Sequence, residues 1–308
     1  MEDIEQVEAR LRNIRSITPI LSALRTIALG GWRVALARLN AVRAYQEQLT
    51  DILYLILPRL SGTRLHGQPT KATVARRGLL VIGSERGLCG LFTTSVVAVA
   101  EAELARWRAM GIEGELMVLG ERARREFRRR NLFPVWEARL PVTGVPSICL
   151  AAELVAKTLP RFNRGELEAV AVAYNHYLGP ARYESRVLEL LPLVWPHRAV
   201  RRPPWPPPII DTDPYSLYQQ ITEQLVLIAF FRVLLESAAA EQSARFQLME
   251  GASQNSHRLI DELTLAYHMA RQQRITMEML DLAVGAGLVG QSQTQWSEMS
   301  STDMPADL

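Results

Sequence analysis

The chain has 308 residues, 48% hydrophobic and 22% charged, an ordinary globular composition with enough apolar material for a sizeable core and a second element. Its 35 basic and 32 acidic residues leave a formal charge of +3. Lysine stands only at Lys71 and Lys157, so the basic character is arginine dispersed among acids, which argues against a nucleic-acid partner.

Two cysteines, Cys89 and Cys149, make no disulfide framework, and no Cys/His metal spacing appears among His66, His176, His197, His257 and His268. A reducing compartment, no metal and no cofactor are the expectation. The N-terminal MEDIEQVEARLRNIR has no apolar signal core. The longest apolar run, LVLIAFF at 225–231, is too short to span a bilayer, so no direct membrane span is expected.

Residues 1–58 read as one helix. Ile4, Val7, Leu11, Ile14, Ile17, Leu21, Leu24 and Ala28 recur at steps of three and four, the spacing of a heptad seam, and Leu36, Leu39, Val42, Leu49, Ile52, Leu53 and Ile56 continue it. Pro19 lacks an N–H and is expected to kink or break this helix. The Gly30-Gly31 pair costs about 1 kcal/mol per glycine relative to alanine, and Pro58 is a natural stop.

Residues 72–200 change character. GLLVIGS (78–84), an amphipathic stretch from Val96 to Trp107, GELMVLG (114–120), the charged helix ERARREFRRR, LFPVW, a helix near 147–159, EAVAVAYNHY (168–177) and RVLELLPL (186–193) alternate strand with helix. That order predicts a Rossmann-like βαβ domain. A proline-rich linker, 201–213, with RRPPWPPP at 201–208, closes it. Residues 214–289 read as a second long helix, and 290–308 as a polar tail. The expected fold class is therefore α/β: long antiparallel N- and C-terminal helices form a coiled coil, with the Rossmann-like domain between them.

The glycine-rich GSERGLCGLF (83–92) follows a strand and opens toward a helix, where backbone N–H groups can face a phosphate. It lacks the GxGxxG and GxxxxGK[ST] spacings, so a tight turn with Gly87 and Gly90 allowing close packing is the stronger reading. Cys89 has no histidine partner nearby in sequence. Glu278 and Asp281, three apart on one helix face, are solvated or partner-facing rather than an acid–base pair. No catalytic constellation is legible.

The stretch ESAAAEQSARFQLMEGASQNSHRLIDELTLAYHMARQQRITMEMLDLAVGA resembles the C-terminal helix of the γ subunit of F-type ATP synthases. The matching positions are Glu236, Ala239, Glu241, Arg245, Met249, Ala252, Ser253, Asn255, Leu263, Leu265, Tyr267, Arg271, Gln272, Ile275, Thr276 and Glu278, closing through Asp281, Gly285 and Ala286. GSERGLCGL is similar to the family's S-D-R-G-L-C-G-G at Ser84, Arg86, Gly87, Leu88, Cys89 and Gly90, and RSITPILSALRTIA to its N-terminal helix. This sequence departs from the family at Glu85 (usually Asp), Leu24 (usually Met), Leu21 (usually Thr) and His268-Met269 (usually Asn-Lys).

The resemblance implies a central rotor shaft, without an active site of its own, inside a hexamer of α and β subunits and carrying torque to a proton- or sodium-translocating membrane ring. It implies β-subunit contacts for Arg271, Gln272, Thr276 and Glu278, and for Leu24, with Arg245 and Glu241 either in the same coupling region or simply an intrahelical pair. It implies that the turn Arg86, Gly87, Leu88, Cys89 and Gly90 contacts the ε subunit and the c-ring. The location implied is peripheral, on the cytoplasmic face of the bacterial inner membrane. A γ-like coiled-coil protein that assembles or regulates without rotating is the alternative.

Overall fold

Helix α1 runs from Ile4 to Ile56, followed by a 3-10 turn to Leu60, in a computed structural model that describes residues 4–60, 76–142, 144–193 and 209–286. The expected proline segment 201–208 and the tail lie outside the described residues, as do Lys71, His66 and His197. The break expected at Pro19 is absent. Pro19 and Arg15, whose carbonyl loses its donor, are both exposed, so the lost bond lies at the surface and not in the core. The hydroxyls of Ser16 and Thr18 add bonds to the Asn13 and Ile14 carbonyls at 2.7 and 2.9 Å.

The chain divides into two units: Ala23–Glu250, and a smaller one formed by residues up to Ser22 and from Gly251 on. The larger holds one five-stranded sheet in the order β3-β2-β1-β4-β5. Its elements are β1 (Arg76–Ile82), α2 (Phe92–Ala109), β2 (Glu113–Leu119), α3 (Glu121–Arg129), β3 (Trp136–Ala138), α4 (Ile148–Asn163), β4 (Ala169–Gly179) and β5 (Arg182–Leu191). Strands β1 to β4 are parallel, and β5 returns antiparallel to β4 as a hairpin. GLLVI, LMVL and AVAVA are apolar on both sides because parallel strands are covered on both faces.

Alternate residues serve the two faces. Leu79, Val81, Leu116, Val118, Ala171 and Ala173 pack with Val96, Val97, Ala100 and Trp107 of α2 and Ala123 and Phe127 of α3. Leu80, Ile82, Met117, Leu119, Val170 and Val172 pack on the other side with Ala151, Leu154 and Phe162 of α4. That second core continues into Leu39, Leu53 and Ile56 of α1, and Tyr218, Phe230 and Leu235 of helix α5, which spans Pro214–Gly285.

Within this unit α1 and α5 pair antiparallel, since contacts rise along one helix as they fall along the other. Arg25 meets Glu250 at 2.7 Å, Arg43 meets Glu236 at 3.3 Å and Gln46 meets Arg232 at 3.4 Å. Gly31 has a use in this seam: a Cβ there would lie 3.2 Å from the Gln242 side chain, so glycine lets the helices approach. In the smaller unit Arg10, Asn13 and Ile14 face Leu259, Glu262, Leu263 and Ala266 across an open groove.

Among the described residues α1 contains an 18-residue window of mean hydropathy 1.3, apolar enough by composition to cross a membrane although no unbroken apolar run is that long. The value has two sources. Ala28, Ala35, Leu39 and Val42 are buried, whereas Ile17, Ile20, Ile27 and Val34 stay exposed along the same helix.

Candidate partner-contact surfaces

In the smaller unit the last turns of α5 are not covered by any of the described residues. Every residue from Arg271 to Met279 is exposed, as are Leu280, Asp281 and Leu282. Ile275, Met277, Met279, Leu280, Leu282 and Val284 are each 45–73% exposed. Helical spacing puts Arg271, Ile275, Glu278 and Leu282 on one face, and Gln272, Thr276, Met279 and Ala283 on the adjacent one. The structure thus brings Arg271, Gln272, Thr276 and Glu278 onto one helix end, with apolar side chains between them. Glu278 pairs with Arg274 at 3.2 Å, both well exposed, and the Thr276 hydroxyl donates to the Gln272 carbonyl at 2.9 Å.

Arg245 and Glu241 belong to the larger unit and form the i,i+4 pair that their spacing allows, each side chain only 13% exposed. Arg245 also donates to Gln242 Oε1 at 3.1 Å. Burial pushes the Glu241 carboxyl above the ordinary carboxylate range, with the Arg245 charge pulling against it. Glu241, Gln242 and Ser237 line a cavity of about 20 Å³ against Ile82, Gly83, Leu140 and Pro141, so the Glu241 end of the pair is turned toward the chain's own α/β domain. Leu24 is half-buried on α1, between the exposed Ile20 and Ile27.

In the turn after β1 the close approach falls at Gly83, where a Cβ would lie 2.4 Å from Ala123 Cβ, and not at Gly87, where it would meet nothing nearer than Arg122 at 3.9 Å. Leu88 and Gly90 take φ of 64° and 62°, the left-handed values a tight turn needs. Arg86 and Leu88 point outward. Cys89 is buried with Phe92 and with Ala240 of α5, and its Sγ lies 3.6 Å from Ser84 Oγ. Burial raises the thiol's pKa, which suits a packing residue and not a nucleophile. Ser84 Oγ and Thr93 Oγ1 pair at 2.7 Å.

The part played by the neighbouring Glu85 is not legible in the sequence. Its Oε2 accepts hydrogen bonds from the backbone N–H of Glu121 and of Leu140, both at 3.1 Å. In doubly wound sheets the crevice beyond the carboxyl ends of the strands is where phosphates sit on helix N-termini. Here the chain's own carboxylate takes that place at α3, and Cys89 and Phe92 are packed under α5. The glycine turn is therefore a connection that seats α5. Glu85 and its donors are 36 and 55 residues apart, so no local pattern marks them.

A family model described as ATP synthase matches residues 3–287. Curated relatives named ATP synthase gamma chain align with 93% of this chain and 99% of their own length, at 26% identity over 288 residues in Moorella thermoacetica and 29% over 316 in Synechococcus sp. (strain PCC 6716). The chain belongs to the ATP synthase gamma-chain family. Solved structures share its fold. A chain of the Euglena gracilis mitochondrial ATP synthase is 14% identical with a TM-score of 0.58, covering 99% of this chain and 98% of that one. One from the Tetrahymena thermophila central stalk and c-ring is 20% identical with a TM-score of 0.52, covering 76% and 99%.

Proposed function

We propose that the chain is the central-stalk rotor of an F-type ATP synthase, carrying torque between a c-ring and a catalytic hexamer of three α and three β subunits. Family membership supports this, and the observation that carries it is the bare end of α5. Helix stability in proteins comes mostly from tertiary packing, so an uncovered helix of this length is marginal in water. Its apolar side chains, 45–73% exposed, gain at most about 1.5–3 kcal/mol each when fully covered. A sleeve formed by the hexamer supplies that cover.

Such a sleeve is three-fold and a single helix end is not, so each β subunit meets a different face of the shaft. The shaft then acts as a ligand whose affinity for each β state depends on its angle. Coupling of this kind is reciprocal: turning the shaft shifts nucleotide affinity, and nucleotide turnover turns the shaft. Arg271 and Gln272 offer a planar donor fork and a donor–acceptor amide to β, with Thr276 and Glu278 in the same region and Leu24 on α1 facing β as well. The turn Arg86–Gly90 is assigned to the ε subunit and the c-ring, and the transported ion is a proton or sodium. The assembly sits peripherally on the cytoplasmic face of a bacterial inner membrane.

Co-expression with the α and β subunits of the same source tests this reading. One copy of the chain is expected to purify with each hexamer, and Arg271→Ala with Gln272→Ala to lower the complex's ATPase turnover or its yield. A chain that stays out of the complex and pairs with itself would overturn the rotor assignment.

A further inference from the structure

Glu236 of α5 is a carboxylate inside the larger unit, 3% exposed. Its Oε2 accepts from Tyr174 Oη at 3.1 Å and from His176 Nδ1 at 2.8 Å, both on β4. Its Oε1 accepts from Arg43 Nη2 of α1 at 3.3 Å, and Arg232, one turn earlier on α5, stands 4.0 Å away. Arg186 of β5 donates to Tyr174 Oη through Nε and Nη2 at 3.0 and 2.6 Å, and lies 4.0 Å from the carboxylate. One buried charge thus joins α1, α5, β4 and β5. Burial alone would raise its pKa, but the His176 hydrogen bond and the Arg232 charge outweigh that and hold it below the ordinary range.

The location gives the cluster its meaning. Strand β1 supports β4 only as far as Ala173, so Tyr174 to Gly179 and their β5 partners form a two-stranded ribbon beyond the sheet. That ribbon is fastened to the long helices by directional polar bonds: at Glu236, at Ala181 N to Ser243 Oγ (2.6 Å), and at Trp32 Nε1 to Tyr177 Oη (3.2 Å). Apolar contacts are non-directional and permit small slips between packed surfaces. A buried ion cluster adds little net stability over an apolar replacement of similar volume, and its best-attested use is to fix one register.

We infer that Glu236 is a positioning residue for torque transmission, the polar lock that fixes the register of the β4–β5 ribbon on the two long helices. The inference rests on the rotor reading. Under twisting load the lock keeps the α/β domain and the helices turning together.

The test uses the complete ATP synthase in liposomes, with ion uptake (protons and sodium both followed) measured per ATP hydrolysed. Glu236→Leu is expected to assemble and to hydrolyse ATP within about two-fold of the unaltered complex, while uptake per ATP falls at least three-fold. Glu236→Gln, which still accepts from Tyr174 and Arg43, is expected to recover most of that ratio. An unchanged ratio in an assembled Glu236→Leu complex overturns the inference. Failure of both variants to assemble also overturns it, by showing a role in folding alone. If the unaltered chain supports no coupled uptake, the rotor reading itself falls, which is a separate result.

Discussion

Glu85, on the turn after β1, caps helix α3 by accepting the backbone N–H of Glu121 at 3.1 Å. The local N-cap position is unable to do this work. Gly120 has φ of 94°, and a Cβ there would lie 2.8 Å from the Ser84 carbonyl oxygen, so a capping Ser or Asp side chain does not fit. The cap therefore comes from a residue distant in sequence, and the carboxylate also meets the positive end of the helix dipole. Glu85→Ala is expected to destabilise the larger unit by about 0.5–2 kcal/mol, the usual cost of a lost cap. Hydrogen exchange at the Glu121 and Leu140 amides reads this directly. Unchanged protection there would rule the cap out.

Phe127 holds α3 on the sheet. Apart from Ala123 the helix is charged or exposed, and Phe127 is fully buried against the core below it. Phe127→Ala is expected to cost about 3–5 kcal/mol, the range for an emptied aromatic core site. Leu88→Ala, at an exposed turn position, is expected to change stability by less than about 0.5 kcal/mol. Denaturant unfolding of both variants separates an anchor from a surface residue, and equal midpoints would sink the distinction.

What the sequence discloses here is set by how local each cause is. The seam of α1 and the buried strands are written along the chain, because apolar side chains repeat every three to four residues or run unbroken. Strand β5 starts at Arg182, four residues before RVLELLPL, because RYES pairs through its backbone at a sheet edge and carries no apolar signal. Only Trp136 of LFPVW enters β3, a three-residue edge strand. Pro19 reads as a breaker from its chemistry, yet it and Arg15, whose carbonyl loses its donor, are both exposed, so the lost bond lies at the surface and the helix continues. The candidate contact residues on α5 were named from the family motif. The parts played by Glu85 and Glu236 depend on partners brought up by the fold from far along the chain, and periodicity is blind to those.

Two carboxylates predict opposite acid responses. Glu121 is held down to about 2 by hydrogen bonds from Arg124 and Arg125. Its folded pKa lies below the unfolded value, so its contribution is present in full above about 4.5 and is lost as pH falls toward 2. Glu241 is raised by burial, so its ionised form opposes folding, and its contribution grows as pH falls through its titration. Glu121→Gln is therefore expected to flatten the loss of stability between pH 4.5 and 2. Glu241→Gln is expected to remove a destabilising term at neutral pH, offset in part by the pairing with Arg245 that it gives up. Unfolding followed as a function of pH checks both, and a Glu121→Gln profile that superimposes on the unaltered one would refute the first.

The bare end of α5 makes the sharpest contrast between the chain alone and the chain in its complex. Met279 and Leu282 are 67% and 73% exposed, so replacing both with serine removes almost no buried area from the isolated chain. Its unfolding midpoint is expected to stay put. If the hexamer covers this helix, the same pair loses at most about 1.5–3 kcal/mol of burial per side chain where the cover is complete. Each 1.4 kcal/mol is a factor of ten, so the double variant is expected to dissociate from the complex at least ten-fold more readily. Size-exclusion chromatography of diluted complex, with ATPase activity followed across the fractions, measures this. A variant that binds as tightly as the unaltered chain would mean that these two apolar side chains remain in water when the assembly forms, and that the cover of α5 ends before Met279.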